Sequence, residues 1–128
     1  MTKFARALAV APLLAALFSA APARAADAVT YEITSDQLAE VSSLQYIDRS
    51  GRVDLGPTPL PWRMDVTLED ADTSVLKGGA EVRTEWLFPL RARWKYVVVS
   101  IYSNGTLLCR STVNIGNATC YGNIPHFS

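Results

Sequence analysis

Histidine occurs once in this chain, at position 126, and cysteine only twice, at 109 and 120. A structural zinc site takes about four ligands, so these residues fall short of one. Ten residues separate the cysteines, which excludes C-x-x-C redox chemistry. A Ser–His–acid relay would rest on His126, two residues from the C-terminus, where chains ordinarily fray. With no named catalytic constellation, the chain reads as a non-enzyme without metal or cofactor. An excess of one charge is also missing, since 12 Lys and Arg balance 12 Asp and Glu. Lys3, Arg6 and Arg24 all fall in the first 25 residues, which carry no acid, so the remainder is mildly acidic. No basic stripe runs through it, and nucleic acid is not an expected partner. After residue 25 there is no long apolar run, no good helical period and no internal repeat.

The apolar run that does exist lies at the start. Lys3 and Arg6 precede an apolar core from Ala7 to Ala21, broken only by Pro12. Ala23-Arg24-Ala25 then places small residues at the cleavage-specifying positions. Residues 1–25 therefore read as a secretory signal, cut between Ala25 and Ala26. The alternative is an uncleaved membrane anchor, because residues 5–23 approach the length of about 20 apolar residues that a span needs. Residues 26–128 form one domain in either case. It is exported, either secreted or held at the cell envelope. Outside the cytoplasm two cysteines most simply make one disulfide, Cys109–Cys120.

The remaining signals are those of strands. Val29, Tyr31 and Ile33 alternate with polar residues. So do Trp62, Met64, Val66 and Leu68, the clearest strand of all. Ser43–Asp48 is a short run ending in a turn, where Gly51 supplies a positive φ. Residues 36–41 read as one helical turn or a loop. Three prolines between Gly56 and Pro61 give an extended connection outside any central strand. Residues 74–77 and 80–85 flank Gly78-Gly79 and read as two short strands or one bulged strand. Tyr96–Tyr102 is β-branched. Asn104-Gly105 then predicts a hairpin with a type I′ turn and a return strand over Thr106–Val113. A second turn over residues 114–117 leads to a last strand, Ala118–Tyr121. That hairpin would put Cys109 and Cys120 on neighbouring strands, with the register depending on a bulge at Gly116. About seven short antiparallel strands with regular turns predict an all-β, immunoglobulin-like β-sandwich.

Two Asn-x-Thr triplets start at Asn104 and Asn117, and both asparagines already have a use in turns. The acidic group Asp65, Glu69, Asp70 and Asp72 lacks the spacing and glycine of an EF-hand loop and reads as a solvated turn. The stretch from Trp86 to Trp94 stands apart. It combines Trp86, Phe88, Arg91, Arg93 and Trp94 without a clear period. Tryptophan and arginine together favour partner interfaces and membrane–water boundaries. These five residues are the candidate contact with a partner or a membrane. The competing use is coverage of the sandwich edge by the aromatics.

Several of these segments carry a family resemblance. Val29-Thr-Tyr-Glu-Ile, Tyr46-Ile-Asp, Leu60-Pro-Trp62, the hairpin from Ser100 to Gly105 and Cys120 resemble the MmpS family of small mycobacterial membrane proteins. Leu60-Pro-Trp62 and the alternation after it are the most specific of these. The resemblance implies a β-sandwich outside the cytoplasmic membrane. It implies an accessory role beside an MmpL transporter of the RND class, in export of lipids or siderophores. The chain departs from the family in three places. Its N-terminus looks cleavable, its residues 86–94 look inserted, and the family's first cysteine aligns with Val99, before the hairpin turn. A freely secreted immunoglobulin-like binding protein is the alternative function.

Overall fold

The structure is a computed structural model and describes residues 25–87 and 95–128. Eleven strands are present among them: β1 (Asp27–Thr34), β2 (Glu40–Val41), β3 (Ser43–Asp48), β4 (Gly51–Asp54), β5 (Thr58–Pro59), β6 (Trp62–Leu68), β7 (Glu81–Glu85), β8 (Val97–Ser103), β9 (Thr106–Val113), β10 (Asn117–Tyr121) and β11 (His126–Phe127). They form a five-stranded sheet in the order β11-β9-β8-β1-β6 and a four-stranded sheet in the order β10-β7-β3-β4. A small pair, β2 and β5, accompanies them. All pairings are antiparallel except β9 with β11. The protein is an all-β sandwich, with more strands than the seven expected, three of them being two-residue pairings.

Alternation explains which face each strand buries. Val29, Tyr31 and Ile33 of β1 point inward and are fully buried. Val97, Val99 and Ile101 of β8 lie beside them. The four-stranded sheet contributes Leu44, Tyr46, Val82, Ala118 and Cys120 to the same core. Tyr46 lies between two rings, with centroids 5.7 Å from Tyr31 and 5.5 Å from Trp62. Asn104 (φ 51°) and Gly105 (φ 84°) make the tight turn of the β8–β9 hairpin, as turn chemistry requires. Gly51 takes φ 120° after Asp48 has accepted the Ser50 N–H and hydroxyl.

The structure corrects four local expectations. Residues 74–77 form no strand: Val75–Lys77 is a 3-10 turn ended by left-handed Gly78. The extended connection around residues 56–61 contains β5, which pairs Thr58 with Val41 and Pro59 with Glu40. The C-terminus is fastened rather than frayed, because β11 pairs with β9 and the Ser128 N–H donates to the Arg110 carbonyl. Most important, β9 and β10 are not a hairpin. Residues 114–116 carry the chain from the five-stranded sheet to the four-stranded one, where β10 pairs with β7. The Cys109–Cys120 disulfide therefore ties the two sheets together, with Cα atoms 5.8 Å apart and both residues buried.

That bridge depends on a bulge. Ile101 pairs with Cys109 but Tyr102 with Leu107, so Leu108 is an extra residue in β9. Without it, the register running from the Asn104-Gly105 turn would set Cys109 opposite Ser100, on the outer face. The expected position of the irregularity, Gly116, lies instead in the crossing between the sheets, with φ 95°.

Candidate contact surface

The two ends of the sandwich are closed differently. At one end lie the start of β1, the Asn104-Gly105 turn and the Asp48–Gly51 turn. Polar contacts fasten β1 here, and Leu76 and Ile124 are exposed on the segments around them. Asn104 Nδ2 donates to Asp27 Oδ1 at 3.0 Å, and Asn104 Oδ1 accepts the Ala28 N–H at 2.9 Å. Both atoms of the Asn104 amide are therefore used to fasten β1. Asp27 Oδ2 also accepts the Ala71 N–H. Gly122 sits close to the Ala71 carbonyl, where a Cβ would overlap it.

The opposite end gathers the finish of β1, the starts of β6 and β8, and the residues linking β9 to β10. Three large apolar side chains are exposed there: Leu87 at 81%, Tyr96 at 49% and Ile115 at 58%. Backbone contacts hold them in place. The Trp86 N–H donates to the Gly116 carbonyl at 2.9 Å, which brings Leu87 alongside the segment bearing Ile115. The Tyr96 N–H donates to Gln37 Oε1 and its carbonyl accepts the Ser35 hydroxyl, both at 2.7 Å. Ser35 Oγ in turn accepts the Gln37 and Leu38 N–H groups. The points where the chain leaves Trp86 and returns at Tyr96 are thus both fixed to the sandwich.

Of the five contact residues proposed from the sequence, Trp86 is described and is 5% exposed. Its ring belongs to the core cluster, so the indole serves packing. Its Nε1 has no hydrogen-bond partner among the described residues. Phe88, Arg91, Arg93 and Trp94 lie outside the described residues. Leu87, Tyr96 and Ile115 were not singled out in the sequence, because each falls where the alternation of a strand has stopped. An apolar residue outside the alternation, next to a turn glycine, is the signal that marks Ile115.

The two outer faces are polar. On the four-stranded sheet, register places Glu81 and Arg83 on the outer face. Glu81 is only 2% exposed there, because it pairs with Arg52 and with Arg83, the latter at 3.1 Å. Two guanidinium groups satisfy a buried carboxylate that would otherwise be costly. The hydrogen bond from Arg83 to Glu81 holds the guanidinium pKa above its ordinary value. On the five-stranded sheet, Arg110 donates to Ser100 Oγ at 3.2 Å and to the Tyr102 hydroxyl at 2.7 Å. The Thr30 hydroxyl donates to Asp65 at 2.7 Å and, with Arg63 nearby, holds that carboxyl below its ordinary range.

The acidic residues of the 65–72 segment do not converge. Asp65 faces Thr30 and Arg63, while Glu69 pairs with Arg49 at 2.8 Å. Among the described residues, no group of three or more His, Cys, Asp or Glu side chains comes together to hold a metal ion. His126 is exposed on β11, with Nε2 2.9 Å from Ser128 Oγ. Asn117, in the second Asn-x-Thr triplet, opens β10 instead of lying in a turn. No helix among the described residues is long and apolar enough to cross a membrane. No family model matches the chain, and no curated protein matches it.

Proposed function

We propose that this chain is a non-enzymatic accessory or adaptor domain acting outside the cytoplasmic membrane. By its resemblance to MmpS proteins, it would support export of lipids or siderophores by an MmpL-type transporter through protein or lipid contacts. The observation that carries this reading is the set of exposed apolar side chains around the Trp-Arg stretch. Leu87 and Tyr96, at its two ends, are exposed at the same end of the sandwich as Ile115. Exposed apolar groups held on a rigid frame suit a partner better than they suit water. The cysteine arrangement supports the resemblance. Cys120 Sγ lies 3.7 Å from the carbonyl of Val99, the position aligned with the family's first cysteine. Val99 and Cys109 are on adjacent strands, and Cys120 of β10 reaches both.

A freely secreted binding protein with an immunoglobulin-like sandwich is the second reading. It is favoured by the start of β1 at Asp27, two residues beyond the expected cut, so cleavage leaves every described strand whole. Both readings are tested on the chain produced in its full length. In the accessory reading it stays in the membrane fraction and co-purifies with an MmpL-type transporter. Charge introduced by Leu87→Asp with Ile115→Asp abolishes that association and leaves the disulfide intact. A product that begins at Ala26 and is recovered wholly from the culture fluid would defeat the accessory reading and establish the secreted one.

A further inference from the structure

The five-stranded sheet ends on β6. This strand pairs with β1 on one side and, among the described residues, with no strand on the other. It is seven residues long, whereas the other edge strands β4, β10 and β11 have four, five and two. Its register with β1 is unbroken from Leu68 opposite Asp27 to Trp62 opposite Ile33. It contains no proline, glycine or bulge, and the prolines at 57, 59 and 61 stop just short of it. Proteins ordinarily shorten, bulge or interrupt such an edge, because its unpaired backbone groups recruit another strand. The inward side chains of β6 are also incompletely covered. Trp62, Met64 and Val66 are half-buried, while their neighbours Tyr31 and Ile33 on β1 are fully buried.

The charges on β6 select the partner. Arg63, Asp65 and Thr67 point outward and are exposed. Consider a second β6 laid antiparallel, with Met64 opposite Met64. Arg63 then faces Asp65 of the second copy, and Asp65 faces its Arg63. Trp62 faces Val66 on the inner side, again twice. Opposite charges and aromatic–aliphatic pairs directly across an antiparallel ladder are both favourable. A two-fold axis makes every such contact occur in duplicate. Within one chain Arg63 lies 3.4 Å from Asp65 and 3.7 Å from Glu32, as exposed pairs. Exposed pairs contribute little, so re-pairing across the interface costs little. We propose that the exported chain forms a two-fold homodimer through antiparallel pairing of β6, which joins two five-stranded sheets into one of ten strands.

This dimer places the two chain starts at opposite ends. Asp27 sits opposite Leu68, four residues from the symmetry axis at Met64. The two Asp27 residues therefore lie about 27 Å apart along the strand direction. Two chains anchored in one membrane by residues 5–23 can both reach it in this dimer only with their strands lying along the membrane surface. Removal of residues 1–25 lifts that restriction. The inference goes beyond the transporter reading and does not depend on it.

The test uses the chain from Ala26 onward, which holds every strand and core residue described above. Sedimentation equilibrium between about 1 µM and about 500 µM spans the affinities of ordinary non-obligate pairs. The expected result is a reversible dimer. Asp65→Arg sets like charges opposite each other twice and should weaken association at least about tenfold. Arg63→Asp combined with Asp65→Arg should restore it. Met64→Cys should give a dimer linked by a new disulfide, with Cys109–Cys120 intact, and it decides the matter if the charge variants fail to fold. A monomer throughout, a dimer indifferent to Asp65→Arg, or failure of both the charge swap and the Met64→Cys link would overturn the proposal. None of these outcomes touches transporter association, which is read in the membrane fraction.

Discussion

The Tyr31 phenol crosses the sandwich and donates to the Ile47 carbonyl at 2.7 Å. Burial is the main force opposing its ionisation. The Glu81 and Asp48 carboxylates act in the same direction, and backbone hydrogen bonds at Glu81 and Ile47 oppose them. Its folded pKa therefore stands well above the ordinary phenol value of about 10. A raised pKa means that the folded state holds the proton more tightly than the unfolded state. The resulting stability is complete below about pH 10 and is lost progressively as pH rises beyond it. Tyr46 is shifted in the same direction, by burial first and then by Asp48. Urea midpoints between pH 8 and pH 11 should fall steeply at the alkaline end for the native chain. Tyr31→Phe should cost about 1–2 kcal/mol at pH 8, since it leaves a buried carbonyl unpaired. It should also flatten the alkaline fall. An equally steep fall in Tyr31→Phe would assign the alkaline loss to other groups.

Leu108 shows how one inserted residue governs a whole strand. Its bulge sets Cys109 and Ser111 on the inner face and Arg110 on the outer face, where it reaches Tyr102. Deleting Leu108 should remove the bulge yet keep Cys109 opposite Ile101, because Leu107 then joins Cys109 directly and the alternation runs unbroken. The disulfide should survive, with no titratable thiol. Opening it instead by Cys109→Ser should cost about 3 kcal/mol, as for a loop of this length. Two free thiols after the Leu108 deletion would show that the bulge itself is what holds Cys109 against Cys120. The sequence made β1, β6 and the Asn104-Gly105 turn readable, since alternation and turn chemistry are local. The bulge at Leu108 leaves no mark, because Leu107 and Leu108 are both apolar and either suits the inner face. The crossing of β10 was equally hidden. A glycine turn serves a hairpin or a passage between sheets, and the choice depends on which distant edge, here β7, is free to pair. Trp86 was marked by its composition, yet tryptophan signals core and interface alike, and only its burial separates the two.

The polarity of the whole sandwich gives the accessory reading a direction. β1 starts at Asp27, so only residues 24–26 separate its first residue from the end of the apolar segment. Three extended residues reach about 10 Å. A chain that keeps residues 1–25 as an anchor therefore holds the Asn104-Gly105 end close to the membrane. Leu87, Tyr96 and Ile115 lie beyond the far end of β1, eight residues along. With β1 standing along the membrane normal they are about 26 Å farther out, at the rise of an antiparallel strand. In that orientation their partner is the outer part of a membrane protein and not the bilayer. A photo-reactive side chain at Tyr96 should accordingly be captured by protein, and one at Ser50, in the membrane-near Asp48–Gly51 turn, by lipid. Both are read by mass after irradiation of membranes that contain the full chain. Lipid adducts at Tyr96 would reverse the orientation and turn the end bearing it into a membrane contact. Equal protein adducts at both sites would show that the domain is enclosed by its partner. The predicted asymmetry follows from a single fact of the fold, that β1 enters at the Asn104-Gly105 end and leaves at the end bearing Leu87, Tyr96 and Ile115.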